Sequence, residues 1–147
     1  MAVSSPNLDS ARKGVRVPAQ PTSPERNKTT TSEQEAAAFA SFARLADLWS
    51  LTTEEQIKLL GSPARSTFFK WKKDGGSLPR DTVERISHLF GIYKALQILL
   101  PEPKNADGWV RRPNRYFDGQ SALDVMLKGQ VVDIYRVRQY LDAQRGG

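Results

Sequence analysis

The stretch TTEEQIKLLGSPARSTFFKWKK, from Thr52 to Lys73, constrains the fold of this chain more than any other. Thr52 and Glu55 have the spacing of a capping box, in which each side chain satisfies an otherwise unpaired N–H at a helix start. Leu51, Ile57 and Leu60 supply an apolar side, and Gly61 falls where a helix end requires positive φ. Ser62 is then expected to cap a second helix, with Pro63 in its first turn. Ala64, Phe68 and Trp71 recur at i, i+4, i+7 and predict one buried face. Two short helices joined by a tight turn follow from this pattern.

The second helix would leave Arg65, Ser66, Lys70, Lys72 and Lys73 pointing outward. Three apolar anchors behind a polar, basic face are what a DNA-reading helix-turn-helix requires. The hydrophobic residues arrive one position late for the usual register, so the turn needs an extra residue. An ordinary helical hairpin with a solvated lysine face would have the same fold, and charge distribution is what separates the two readings. The net charge is +6 over 147 residues. Residues 61–80 hold five basic side chains against one acidic, whereas residues 32–60 hold two against five. The positive charge is therefore concentrated on the second helix and the loop after it, where lysine and arginine can neutralise phosphates and release counterions.

Residues 1–31 are rich in Ser, Thr, Pro and charge, with almost no large apolar groups, and predict a disordered tail. A first helix is expected from about Ser32, with Ser32 and Glu35 as a second capping box and a stripe of Phe39, Phe42, Ala46 and Trp49. Asp74 to Pro79 reads as a loop. A long helix is expected from Arg80 or Asp81 to Leu100, stopped by Pro101, with Val83, Ile86, Phe90 and Tyr93 inward; Gly91 would kink it or permit close packing, and His88 is expected as a partly exposed structural residue. Beyond Pro101 come a helical turn at Trp109–Val110, a short helix over 121–128 capped by Ser121 with Asp124, and a last helix over about 130–145. That last helix is expected to turn Val131, Ile134, Val137 (or Arg138) and Leu141 inward, leaving Arg136, Gln139, Tyr140 and Ala143 outward. The reading is an all-α protein of about seven helices, divided into a tail (1–31), a helix-turn-helix domain (32–100) and a C-terminal domain (101–147).

Composition excludes several kinds of chemistry. The chain has no cysteine and one histidine, which removes disulfides, thiolate metal sites and thiol nucleophiles. No apolar run reaches the roughly 18 residues of a membrane span, and no signal peptide is apparent, so a cytoplasmic location is expected. The carboxylates are scattered, no Walker-type glycine loop is present, and no cofactor or metal is expected; the chain does not read as an enzyme.

The second half carries a family resemblance. LFGIYKALQILLPEPKNADGWVRRPNRYFDGQSALDVMLKG, followed by a final helix, resembles the toxin-binding domain of bacterial Xre/MbcA/ParS-type antitoxins. The marks are a tryptophan, a Pro-Asn pair, an aromatic residue and a glycine before a short Ser-Pro-Leu helix. They fall here on Trp109, Pro113-Asn114, Phe117, Gly119 and Ser121-Ala122-Leu123. Ala122 replaces the usual proline, and the chain ends in Arg145-Gly146-Gly147 where relatives often carry a glycine-containing motif.

The resemblance implies an antitoxin that neutralises a RES-domain, NAD-consuming toxin by direct binding. It also implies an Xre-like helix-turn-helix that binds the operon's own promoter DNA as a homodimer. Carried onto this chain, operator contacts fall on Arg65, Ser66, Thr67, Lys70, Lys72 and Lys73. Toxin contacts fall on Trp109, Arg111, Arg112, Asn114, Arg136, Tyr140, Gln144, Arg145 and Gly147, the last through its terminal carboxylate. The alternative is a free-standing phage-type repressor that uses its C-terminal half only to dimerise.

Overall fold

The computed structural model describes the backbone of residues 24–146 and side-chain burial for residues 32–146. The expectation of a disordered tail over 1–31 lies for residues 1–23 outside the described residues. Among the described residues the fold is all-α, as the lack of period-two alternation predicts. Seven α-helices follow in order: α1 (Pro24–Leu48), α2 (Thr53–Leu59), α3 (Arg65–Asp74), α4 (Arg80–Leu99), α5 (Pro103–Gly108), α6 (Ala122–Met126) and α7 (Val131–Gly146). Two 3-10 turns, Trp109–Arg111 and Arg115–Phe117, link α5 to α6, and one isolated bridge joins Pro113 to Ser121. No described helix is long and apolar enough to cross a membrane.

The first helix begins at Pro24 and not at Ser32. Proline suits a first helical turn because its missing N–H has no intrahelical partner there. Ser32 therefore lies inside the helix, and the expected box with Glu35 does not form. Glu35 Oε1 instead accepts a 2.8 Å hydrogen bond from the backbone N–H of Leu78. That bond pins the α3–α4 loop, with its buried Leu78, onto α1.

The stripe of α1 enters the core as expected. Phe39, Phe42, Ala46 and Trp49 are buried, and Phe39 sits edge-on to both Phe68 and Trp71 of α3, at 5.9 and 6.2 Å between centroids. The core continues without interruption through α4 into Ala106, Val110, Phe117, Leu123, Met126, Ile134, Val137 and Leu141. Burial of this apolar surface is the dominant favourable contribution to the fold.

In α4 the inner face is broader than Val83, Ile86, Phe90 and Tyr93 predict. Thr82, Arg85, Ile86, Leu89, Ile92, Ala95 and Leu96 are buried, while Val83, Phe90 and Tyr93 are only partly covered. The reason is that α4 has neighbours on two flanks. Val83 and Phe90 border a shallow groove against Ala37, Ala38 and Ser41 of α1, and α7 packs along the other flank. Arg85 near the start of α4 donates to Gly129 O at 3.0 Å, and His88 a turn later receives Arg138 Nη1 at 3.1 Å. The two helices thus run side by side in the same sense. Gly91 serves the close packing anticipated for it, since a Cβ there would collide with the Arg138 side chain. His88 is structural, as expected: Tyr135 lies 5.3 Å from its ring and Glu84 3.6 Å from Nε2. An Arg donor on Nδ1 requires the tautomer that keeps its hydrogen on Nε2.

Candidate functional site

The α2–α3 hairpin starts as its residues dictate. Thr52 Oγ1 accepts from Glu55 N at 3.1 Å and Glu55 Oε1 accepts from Thr52 N at 2.9 Å, closing the capping box. The turn differs from expectation. Gly61 has φ +98°, but Ser62 is also left-handed at +60°, and its N–H returns to Ile57 O at 2.9 Å. Ser62 therefore closes α2 and caps nothing; the N-cap of α3 is Ala64, which has no side-chain bond to offer, and Pro63 stays in the turn. Ala64 is exposed and only Phe68 and Trp71 anchor α3. The late register of the hydrophobic residues is absorbed by these two left-handed positions.

On the outer side of α3, Ser66, Phe69, Lys70 and Lys73 have i, i+3, i+4, i+7 spacing and are all exposed. Arg65 and Lys72 flank this stripe and are exposed too, whereas Thr67 is half-buried and turned toward a groove between Trp71, Pro79 and Thr82. Arg65 Nη1 pairs with Glu54 Oε2 at 3.0 Å, and its guanidinium lies 5.5 Å from the Phe69 ring centre. The sequence reading missed Phe69; the signal was its i+3 spacing from Ser66, obscured by the adjacent core residue Phe68.

The C-terminal candidates separate into groups. Trp109, Tyr116, Phe117 and Tyr140 form an aromatic cluster: Trp109 stacks on Tyr140 at 6.3 Å with 12° between planes, and Tyr116 and Phe117 lie 4.4 and 5.5 Å from the same tyrosine. Phe117 is buried, Trp109 and Tyr140 are half-buried, and Tyr116 stands 63% exposed. Tyr140 is thus less free than an outward helix face suggests. Arg136 and Gln144 lie a turn to either side of it on α7 and are exposed, as are Arg112 and Arg115 beside the cluster. Arg145 is on the opposite flank, around a shallow site with Arg138 and Asp142. Gly147 lies outside the described residues.

Two of the predicted toxin contacts hold the fold together. Asn114 caps the second 3-10 turn, its Oδ1 accepting from Tyr116 N at 2.8 Å, and its backbone carbonyl receives Phe117 and Gly119 N–H groups. Asp118 and Gly119 are both left-handed, so the Pro-Asn…Gly signature marks a tight backbone knot. Arg111 reaches back to the hairpin. Its Nε donates to Trp49 O at 3.2 Å, and its Nη2 donates to Ser50 O at 2.7 Å and to Glu55 Oε1 at 3.0 Å. Burial pushes the Glu55 carboxyl upward, but the Thr52 N–H and Arg111 outweigh it and hold the group below the ordinary glutamate value. After this, Ser121 and Asp124 form the expected capping box of α6.

These observations define an all-α helix-turn-helix protein with an aromatic, arginine-edged surface built by its C-terminal helices. Residues 30–91 match the antitoxin Xre-like helix-turn-helix domain, and residues 95–147 match the antitoxin Xre/MbcA/ParS C-terminal toxin-binding domain. The chain is 62% identical over 128 residues to the uncharacterized protein y4oB of Sinorhizobium fredii, covering 86% of this chain and 99% of that relative. The chain belongs to the Xre/MbcA/ParS antitoxin family, and its role is that of an antitoxin with a DNA-binding and a toxin-binding domain. Among the described residues no group of three or more His, Cys, Asp or Glu side chains is placed to hold a metal ion.

Proposed function

We propose that this antitoxin neutralises a RES-domain, NAD-degrading toxin by direct binding, and represses its own operon by binding promoter DNA as a homodimer. The observation that supports this reading best is the pairing of two unlike surfaces on one core. One is the basic stripe of α3, suited to phosphates and the major groove. The other is the Tyr116–Tyr140–Trp109 patch with Arg112, Arg115 and Arg136 around it. Half-exposed aromatic rings beside arginines are the composition of interface hot spots, and the toxin is the partner that the family's C-terminal domain serves. In the same reading Arg145, on the other flank of α7, and Gly147 are assigned to the toxin's nucleotide pocket.

The test is co-expression with the adjacent gene. This chain is expected to co-purify with the neighbouring product, restore growth and preserve the NAD pool, while Tyr116→Ala weakens capture without lowering the melting temperature. Binding to the upstream DNA with no capture of the neighbouring product would favour a free-standing repressor. Failure of both would overturn the proposal.

A further inference from the structure

Phe69 is 41% exposed in the middle of a stripe otherwise made of Ser66, Lys70 and Lys73. The inner side of α3 is already closed by Phe68 and Trp71, which are buried. The Phe69 ring meets the edge of Phe68 at 5.2 Å but stays outside the core. One of its faces carries the Arg65 guanidinium at 5.5 Å, and Arg65 is itself tied to Glu54 at 3.0 Å. The ring is therefore held in place and presented outward between cationic side chains. Base edges in the major groove offer one apolar feature, the 5-methyl group of thymine, and phenylalanine is among the side chains that recognise it. A recognition helix aims this kind of i, i+3, i+4, i+7 stripe at those edges, with lysines beside it for the phosphates.

We propose that Phe69 is a specificity-determining residue that packs its ring on thymine 5-methyl groups in the major groove, steadied by Arg65. The proposal rests on the reading that α3 binds the chain's own promoter. Deoxyuridine pairs as thymidine does and lacks only the methyl group, so the contact can be tested without knowing the operator. The upstream DNA is amplified with either dTTP or dUTP, and the affinity of the full chain for each product is measured by fluorescence anisotropy. Wild type is expected to bind the uridine-containing DNA about fourfold more weakly for each methyl contacted, the worth of one buried methyl group. Phe69→Ala should bind both products alike, and Phe69→Leu, which keeps an apolar side chain, should retain the difference. The double comparison isolates this residue from the other effects of removing methyl groups.

Equal affinity of wild type for the two DNAs overturns the proposal. So does an undiminished preference in Phe69→Ala. In either case promoter binding itself still stands. Wild-type protein that binds neither DNA overturns the promoter reading and this inference together.

Discussion

The guanidinium of Arg111 shows how a residue expected to touch a toxin can be committed to the fold. Three acceptors, the Trp49 and Ser50 carbonyls and the Glu55 carboxylate, converge on it. Partial exposure limits what such bonds contribute, so Arg111→Ala is expected to cost about 1–2 kcal/mol, read as a lower urea midpoint at unchanged slope. Arg111→Lys should not restore it, because an ammonium cannot supply two nitrogens in a fixed fork. The partner carboxylate makes the same contact pH-dependent. Glu55 is held below its ordinary value in the fold, so its contribution is complete above the unfolded-state value and is lost as pH falls through the folded one. The stability gap between wild type and Glu55→Gln should therefore stay constant from neutral pH into mild acid, then shrink. A gap that widens on acidification would contradict the sign. Gly91→Ala sets helix propensity, about 0.5–1 kcal/mol in its favour, against displacement of Arg138. Because the displaced atoms end a flexible side chain, the melting temperature should move little while the His88 ring resonances shift.

At the scale of elements, α3 separates fold from function most clearly. Phe68 is fully buried, and Phe68→Ala should cost about 3–5 kcal/mol and melt the hairpin in near-ultraviolet circular dichroism. Lys70→Ala and Lys73→Ala should leave the fold intact, weaken binding to all DNA sequences and flatten the salt dependence by about one unit per lost phosphate contact. An unaltered salt slope would remove α3 from the interface. What was legible in the sequence here was local. The Thr52–Glu55 and Ser121–Asp124 boxes, the stop before Pro101 and the left-handed Gly61 depend on neighbours within a few residues. Glu35 was misread because its partner, Leu78, comes from a distant loop. Ser62 was misread because a second left-handed residue cannot be distinguished from a cap by residue type alone. In α4 the expected stripe was too narrow because periodicity reports one face, and this helix buries an arc shared by two neighbours.

For the molecule as a whole, the helix-turn-helix and the C-terminal helices share α4. Arg85, buried beside Asp81, completes its contacts on the Gly129 carbonyl, and α7 covers a full flank of that helix. A chain ending at Leu100 loses both. It is expected to melt without a cooperative transition and to bind a hydrophobic dye, whereas the full chain is expected to melt in one step. A sharply melting, DNA-binding fragment would show that α4 needs no cover. The aromatic patch was legible only in part for the same reason: Trp109, Phe117 and Tyr140 could be named, but their convergence depends on where α7 lies across the core.

The joint made by Arg111 has an evolutionary corollary. Two of its three acceptors are main-chain oxygens, which every amino acid possesses, so substitutions at Trp49 and Ser50 that keep the turn's shape leave those bonds available. The DNA-binding half and the toxin-binding half can thereby each change in sequence without losing this joint between them.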